Sequence, residues 1–137
     1  MAFPGGRRDP DDADLFVTIH RETKEEVGID LKDHGEYLGR LAAVQAMARG
    51  RPIHMSVTPF VYLVSPEARP VPDPIEVQDV LWVPLSFMQQ NDIESNVPYP
   101  TPDGGTITVP ALVYGGKTIW GLTYRMLRGF LELITEK

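Results

Sequence analysis

Glu22, Glu25 and Glu26 follow Arg21 in the sequence, at spacings that bring all three carboxylates to one face of a helix. Like charges at those spacings destabilise a helix by roughly 0.2–0.5 kcal/mol per pair. Such a face is either simply solvated or kept for a cation that offsets the repulsion. Mg²⁺ and Mn²⁺ take oxygen ligands, and Mg²⁺ typically binds through a few carboxylates together with substrate phosphates. A divalent metal is the obvious candidate for such an offset, although a glutamate-rich helical face is more often simply solvated.

The element that must position these glutamates is a helix over residues 13–27, a stretch without Pro or Gly. Asp11 and Asp12 offer N-cap oxygens before it, and Gly28 closes it as a C′ residue. Helical periodicity places Phe16, Ile19, Thr23 and Val27 on one stripe, the side expected to be buried. His20 projects away from the carboxylates and is expected at the surface. Ahead of the helix, Gly5 and Gly6 allow close backbone approach to a site, where a carbonyl can complete a coordination shell.

Taken whole, FPGGRRDPDDADLFVTIHRETKEEVGID resembles the Nudix box, GX5EX7REUXEEXGU with U an aliphatic residue. Gly6 matches the leading Gly, and Arg21, Glu22, Glu25, Glu26, Gly28 and Ile29 match the second half one for one. The first acidic position is Asp12 in place of Glu, eight residues separate it from Arg21 in place of seven, and Thr23 stands at an aliphatic position. The PGGxxDxxDA opening and the one-residue insertion are similar to the coenzyme A pyrophosphatase-like branch. VTPFVYLV, EVQDVLWVPLS and GGKTIWGLTYRML resemble later segments of that branch in the same order, so the resemblance covers essentially the whole chain.

This resemblance implies an α/β fold, the Nudix α/β/α sandwich with a mixed β-sheet, as a single domain over residues 1–137. In the family, two or three strands precede the box, whereas here Met1 stands almost against the turn. An N-terminally truncated fold is therefore expected, with open edges that would pair in a homodimer or strand-swapped oligomer. The resemblance also assigns roles. Glu22, Glu25 and Glu26 hold Mg²⁺ or Mn²⁺, Arg21 orients a box carboxylate through a charge-assisted pair, and Gly5 and Gly6 border the substrate. The implied reaction is hydrolysis of a diphosphate linkage by metal-activated water. The implied substrate is coenzyme A or acyl-coenzyme A, cleaved to a phosphopantetheine product and an adenosine bisphosphate. Other nucleoside diphosphate derivatives, such as ADP-ribose, NADH or dinucleoside polyphosphates, stay open, as does a non-catalytic nucleotide-binding module or inactive fragment. The resemblance also makes Glu76 a candidate additional metal ligand or general base, because family members often carry a further carboxylate in that region, set against a solvated residue at a strand end. The general base is open among the box glutamates and Glu76.

Composition narrows the field. Hydrophobic residues make up 42% and charged residues 23% of 137, values of an ordinary globular domain. A net charge of −6 disfavours nucleic-acid binding, which needs a basic face, yet suits a phosphate substrate if metals supply positive charge. The absence of cysteine excludes disulfides, zinc thiolates and thiol nucleophiles. No apolar run reaches a membrane span and the N-terminus is not signal-like, so a cytoplasmic location is the default. The three histidines share no metal-ligand spacing.

Further along, strands are expected over 35–44, 53–64, 76–83, 107–114 and 117–120, the first two as an antiparallel hairpin. The proline-rich 66–74 reads as a stiff loop and 96–106 as another. A short helical turn through Met88 and an amphipathic helix over 121–135, burying Leu122, Met126, Phe130 and Leu133, complete the pattern. Trp82 and Trp120 are read as core in preference to ligand-facing.

Overall fold

The computed structural model describes residues 1–90 and 92–135. The chain resolves into two units, each assembled from separated stretches. One comprises Phe3–Gly39 and Phe60–Trp82; the other comprises Met1–Ala2, Arg40–Pro59 and Val83–Lys137.

In the first unit, helix α1 (Leu15–Val27) is capped by Asp14, whose side chain accepts from Val17 N at 3.0 Å. Asp11 and Asp12, the expected caps, lie one turn too early, and Asp12 is buried instead. The helix stops at Gly28, whose φ of 69° only glycine adopts without strain and whose N–H bonds Lys24 O. A single-turn helix α2 (Leu31–His34) leads into strand β1 (Gly35–Arg40), which pairs with β4 (Phe60–Val64). Ser65 N donates to His34 O, so the two strands run in opposite directions.

Val27, Ile29, Leu31 and Ala68 form the core of this unit, with Ile19, Tyr62, Val64 and Val80 packed around them. The predicted stripe is half correct. Thr23 and Val27 are buried with Thr18, whereas Phe16 is 40% exposed, its ring edge-on to Tyr37 and Phe60. His20 is not a free surface residue: its Nε2 meets Tyr62 Oη at 3.1 Å, and its buried Nδ1 has no hydrogen-bond partner. Trp82, read as core, is 61% exposed. The strand expected over 76–83 is a turn followed by irregular chain.

In the second unit, β2 (Val44–Ala48) and β3 (Arg51–Val57) form an antiparallel hairpin turning at Arg49–Gly50. The predicted strands over 35–44 and 53–64 are thus each divided. Leu41–Ala43 interrupt the first and Thr58–Pro59 the second, and the halves pair as β1 with β4 and β2 with β3. After the single-turn α3 (Leu85–Met88), strands β5 (Glu94–Pro100), β6 (Thr106–Tyr114) and β7 (Lys117–Trp120) make an antiparallel sheet in that order.

Most of strand β5 falls within a stretch expected to be a loop. Pro98 and Pro100 are two residues apart, so both donor-less nitrogens point the same way, and in an edge strand that way can be the side without a neighbour. Pro110 in central β6 sits just outside the β6–β7 ladder, which begins at Ala111↔Trp120. Helix α4 (Gly121–Thr135) packs Tyr124, Leu127 and Leu131 against Leu112 and Ile119, and also buries Met126. Leu133 faces out, 57% exposed, and Trp120 is 36% exposed beside Tyr99 rather than in the core. No helix among the described residues is long and apolar enough to cross a membrane.

Candidate active site

All predicted site residues fall in the first unit. Two clusters flank α1. Around its N-terminal half, Asp12 is 5% exposed and surrounded by donors. Arg21 Nη2 lies 2.9 Å from Oδ2 and Arg21 Nε 3.3 Å from Oδ1; Thr18 Oγ1 donates at 2.8 Å and Asp9 N at 3.0 Å. These hydrogen bonds, the Arg21 contacts first, hold the Asp12 carboxyl well below the usual carboxylate range, and the same pair holds Arg21 firmly protonated. Arg8 closes the loop behind by donating to the carbonyls of Asp12 and Ala13 at 2.8 to 3.1 Å.

Arg21 links this cluster to the glutamates. Its Nη1 donates to Glu22 Oε1 at 2.9 Å and to Glu25 Oε2 at 3.2 Å. Glu22 is largely enclosed, with 15% of its side chain exposed, while Glu25 is 58% exposed. Gly6 lies against the Glu22 carboxylate so closely that any Cβ there would collide with it. Gly5 N donates to Glu26 Oε2 at 3.2 Å. The two glycines thus back onto Glu22 and Glu26; at Gly6 the Glu22 carboxylate excludes a side chain, whereas a Cβ on Gly5 would meet nothing within 4 Å.

Glu26 differs from Asp12 in its surroundings. Burial raises its pKa, and the like charges of Glu22, Glu76 and Glu25 add to the rise, against one opposing N–H from Gly5. Glu76 comes near through a strap of chain laid on the end of α1. Val71 N donates to Val27 O and Asp73 N to Glu26 O, so two carbonyls left without partners at the helix end are satisfied. Gly28 makes room, since a Cβ there would stand 2.8 Å from Val71 O. The Asp73 carboxylate then accepts from Ile75 N while its carbonyl takes Glu76 N and Val77 N, turning the chain at Glu76. The proline-rich segment is therefore stiff, as expected, but its stiffness serves to dock Glu76 beside the box.

As the side chains stand, no three His, Asp or Glu groups among the described residues converge closely enough to enclose an ion; Arg21 engages Glu22 and Glu25 from one side. The donor chemistry nevertheless fits Mg²⁺ or Mn²⁺: the candidates are all hard carboxylate oxygens, and Glu26, whose pKa is raised first by burial and then by its like-charged neighbours, has the Gly5 N–H as a donor. Two contributors were not foreseen, Arg8 and Thr18. Their one sequence signal is position, four residues before Asp12 and four after Asp14.

The NUDIX domain family matches residues 1–101. Mitochondrial coenzyme A diphosphatase NUDT8 of Mus musculus is 29% identical over 139 residues, covering 98% of this chain and 62% of the relative. NUDT8 of Homo sapiens is also 29% identical, with 55% of its length covered. The uncharacterized Nudix hydrolase NudL of Yersinia pestis (strain Pestoides F) is 30% identical, with 64% covered. The chain thus spans between about half and two thirds of the length of these relatives. With the match extending over most of its length and the box glutamates backed by the double-glycine turn, the chain belongs to the NUDIX domain family.

Proposed function

We propose that the protein hydrolyses a diphosphate linkage in a nucleoside diphosphate derivative, coenzyme A or an acyl-coenzyme A foremost, as one Nudix domain. The observation that carries this reading is Glu26, partly buried, crowded by Glu22, Glu25 and Glu76, and given one backbone donor. A carboxylate left so short of positive charge suits a divalent cation. Glu22, Glu25 and Glu26 would hold it, with Glu76 as a further ligand or base. A bound Mg²⁺ or Mn²⁺ supplies Lewis acidity, neutralises diphosphate oxygens and lowers the pKa of water.

The chain's own residues provide the rest. Gly5 and Gly6 leave the substrate a backbone edge free of side chains, and Arg21, fixed by Asp12, orients Glu22. Water forms a new P–O bond, the bridging P–O bond breaks, and a carboxylate of the Glu26–Glu76 pair accepts the proton. Both products are phosphomonoesters. The coenzyme A assignment is supported by the similarity to the NUDT8 coenzyme A diphosphatases and by the sequence of the box opening.

The test is a hydrolysis screen with Mg²⁺ and Mn²⁺ over coenzyme A, ADP-ribose, NADH and dinucleoside polyphosphates. Coenzyme A should give phosphopantetheine and an adenosine bisphosphate, and Glu26→Gln should not. Turnover of a different substrate would move the specificity while keeping the reaction; no turnover in a folded sample would withdraw the reaction.

A further inference from the structure

Arg21 has two edges with different degrees of freedom. Nε and Nη2 face Asp12, which is 5% exposed and is itself fixed by Thr18 Oγ1 and Asp9 N. Arg8 pins the backbone behind that carboxylate through the Asp12 and Ala13 carbonyls. Nη1 faces outward and is shared between Glu22 Oε1 and Glu25 Oε2, at 2.9 and 3.2 Å, the latter on a side chain 58% exposed. A planar guanidinium presents several donors in a rigid fork, so one edge can stay anchored while the other exchanges partners. A divalent cation held by Glu22 and Glu25 would draw on the same two carboxylates, of which Nη1 engages one oxygen each.

We infer that Arg21 is an internal competitor for metal: its Nη1 edge occupies Glu22 and Glu25, weakens divalent-cation binding, and yields them without leaving Asp12. The inference rests on the proposed metal-binding role of those glutamates. It assigns Arg21 a sign opposite to that of a residue that only orients ligands, because removing an orienting residue loosens metal binding and removing a competitor tightens it. Two partly exposed contacts of this kind weaken metal binding about 3–10-fold. The arrangement would keep the crowded helix face neutralised when metal is scarce and leave the guanidinium in place to hold the helix when it is not.

The experiment is Mn²⁺ binding to the full chain, followed by electron paramagnetic resonance of free Mn²⁺, for wild type, Arg21→Lys and Arg21→Gln. Lysine keeps the positive charge but lacks the fork that spans Asp12 and both glutamates. Competition predicts that both variants lower the Mn²⁺ dissociation constant about 3–10-fold while kcat falls. Unchanged or weaker binding in both variants overturns it. Tightening in Arg21→Gln alone also overturns it, since that is charge repulsion without competition for ligands.

Should the variants fold poorly, wild-type protein decides through the arginine side-chain ¹H–¹⁵N signals during a Mg²⁺ titration. The Nη1 protons of Arg21 should lose protection as metal binds, while the Nε–H facing Asp12 keeps its shift. Persistence of Nη1 protection at saturating Mg²⁺ overturns the inference. Wild type that binds no Mn²⁺ removes the metal reading itself, whereas wild type that binds without the predicted changes removes only the competition.

Discussion

Asp12, in the loop before α1, and Glu26, in the last turn of that helix, have opposite surroundings. Asp12 is 5% exposed with four donor contacts, from Arg21 twice, Thr18 and the Asp9 backbone. Glu26 has one donor, the Gly5 N–H, and three like charges nearby. The pKa of the first is lowered and that of the second raised. A carboxylate anchored by four donor contacts belongs to the frame, whereas one with a single donor and crowded charge is available to a ligand.

The comparison breaks first at Glu26. Glu26→Gln should lower kcat/KM by about 10²–10⁴-fold, the range for a lost catalytic carboxylate, read in the hydrolysis assay. Next is Gly6→Ala. The new Cβ would collide with the Glu22 carboxylate, which is the far end of a flexible side chain and can swing aside. Activity should therefore drop roughly 10–100-fold, as when a metal ligand is mispositioned, while the thermal midpoint hardly moves.

Asp12→Asn tests the other side through stability and pH. A carboxyl with a lowered folded-state pKa contributes stability that is fully present above its unfolded pKa, about 3.9, and is lost as pH falls through the folded value. The variant should be less stable at neutral pH, and its thermal midpoint should fall less on acidification than that of wild type. Glu76→Gln should have the smallest effect, less than about tenfold on kcat. Removing one like charge lowers the pKa of Glu26, so the acid limb of the rate profile should move to lower pH.

The box could be read from the chain because its chemistry is local. Arg21, Glu22, Glu25 and Glu26 are fixed by helical spacing, and Gly28 by the αL turn that ends the helix. What escaped depends on partners distant in sequence or on competing local bonds. EVQDVLWV has strand composition, but the backbone and side chain of Asp73 capture three following N–H groups and turn the chain at Glu76. SNVPYP looks like a loop because of its prolines, yet β5 is an edge strand, where a residue without an N–H is tolerated. Asp12 was expected to cap α1, yet the added residue before Arg21 leaves capping to Asp14 and turns Asp12 toward the guanidinium. The side chain of His20 was assigned to solvent because nothing in its own helix predicts Tyr62, 42 residues away.

The most direct test of the contrast is to measure thermal stability and turnover of Glu26→Gln together, near pH 8, with stability read in the presence of a chelator. A carboxyl whose folded pKa is raised contributes stability below its unfolded pKa and loses it as pH rises through the folded value. At pH 8 wild type therefore carries an unfavourable charge that the variant lacks. The predicted result is a variant more stable than wild type at that pH, with turnover lowered about 10²–10⁴-fold. A variant that is less stable than wild type, or that still hydrolyses substrate at the wild-type rate, would contradict the claim that Glu26 is held for catalysis at the expense of the fold.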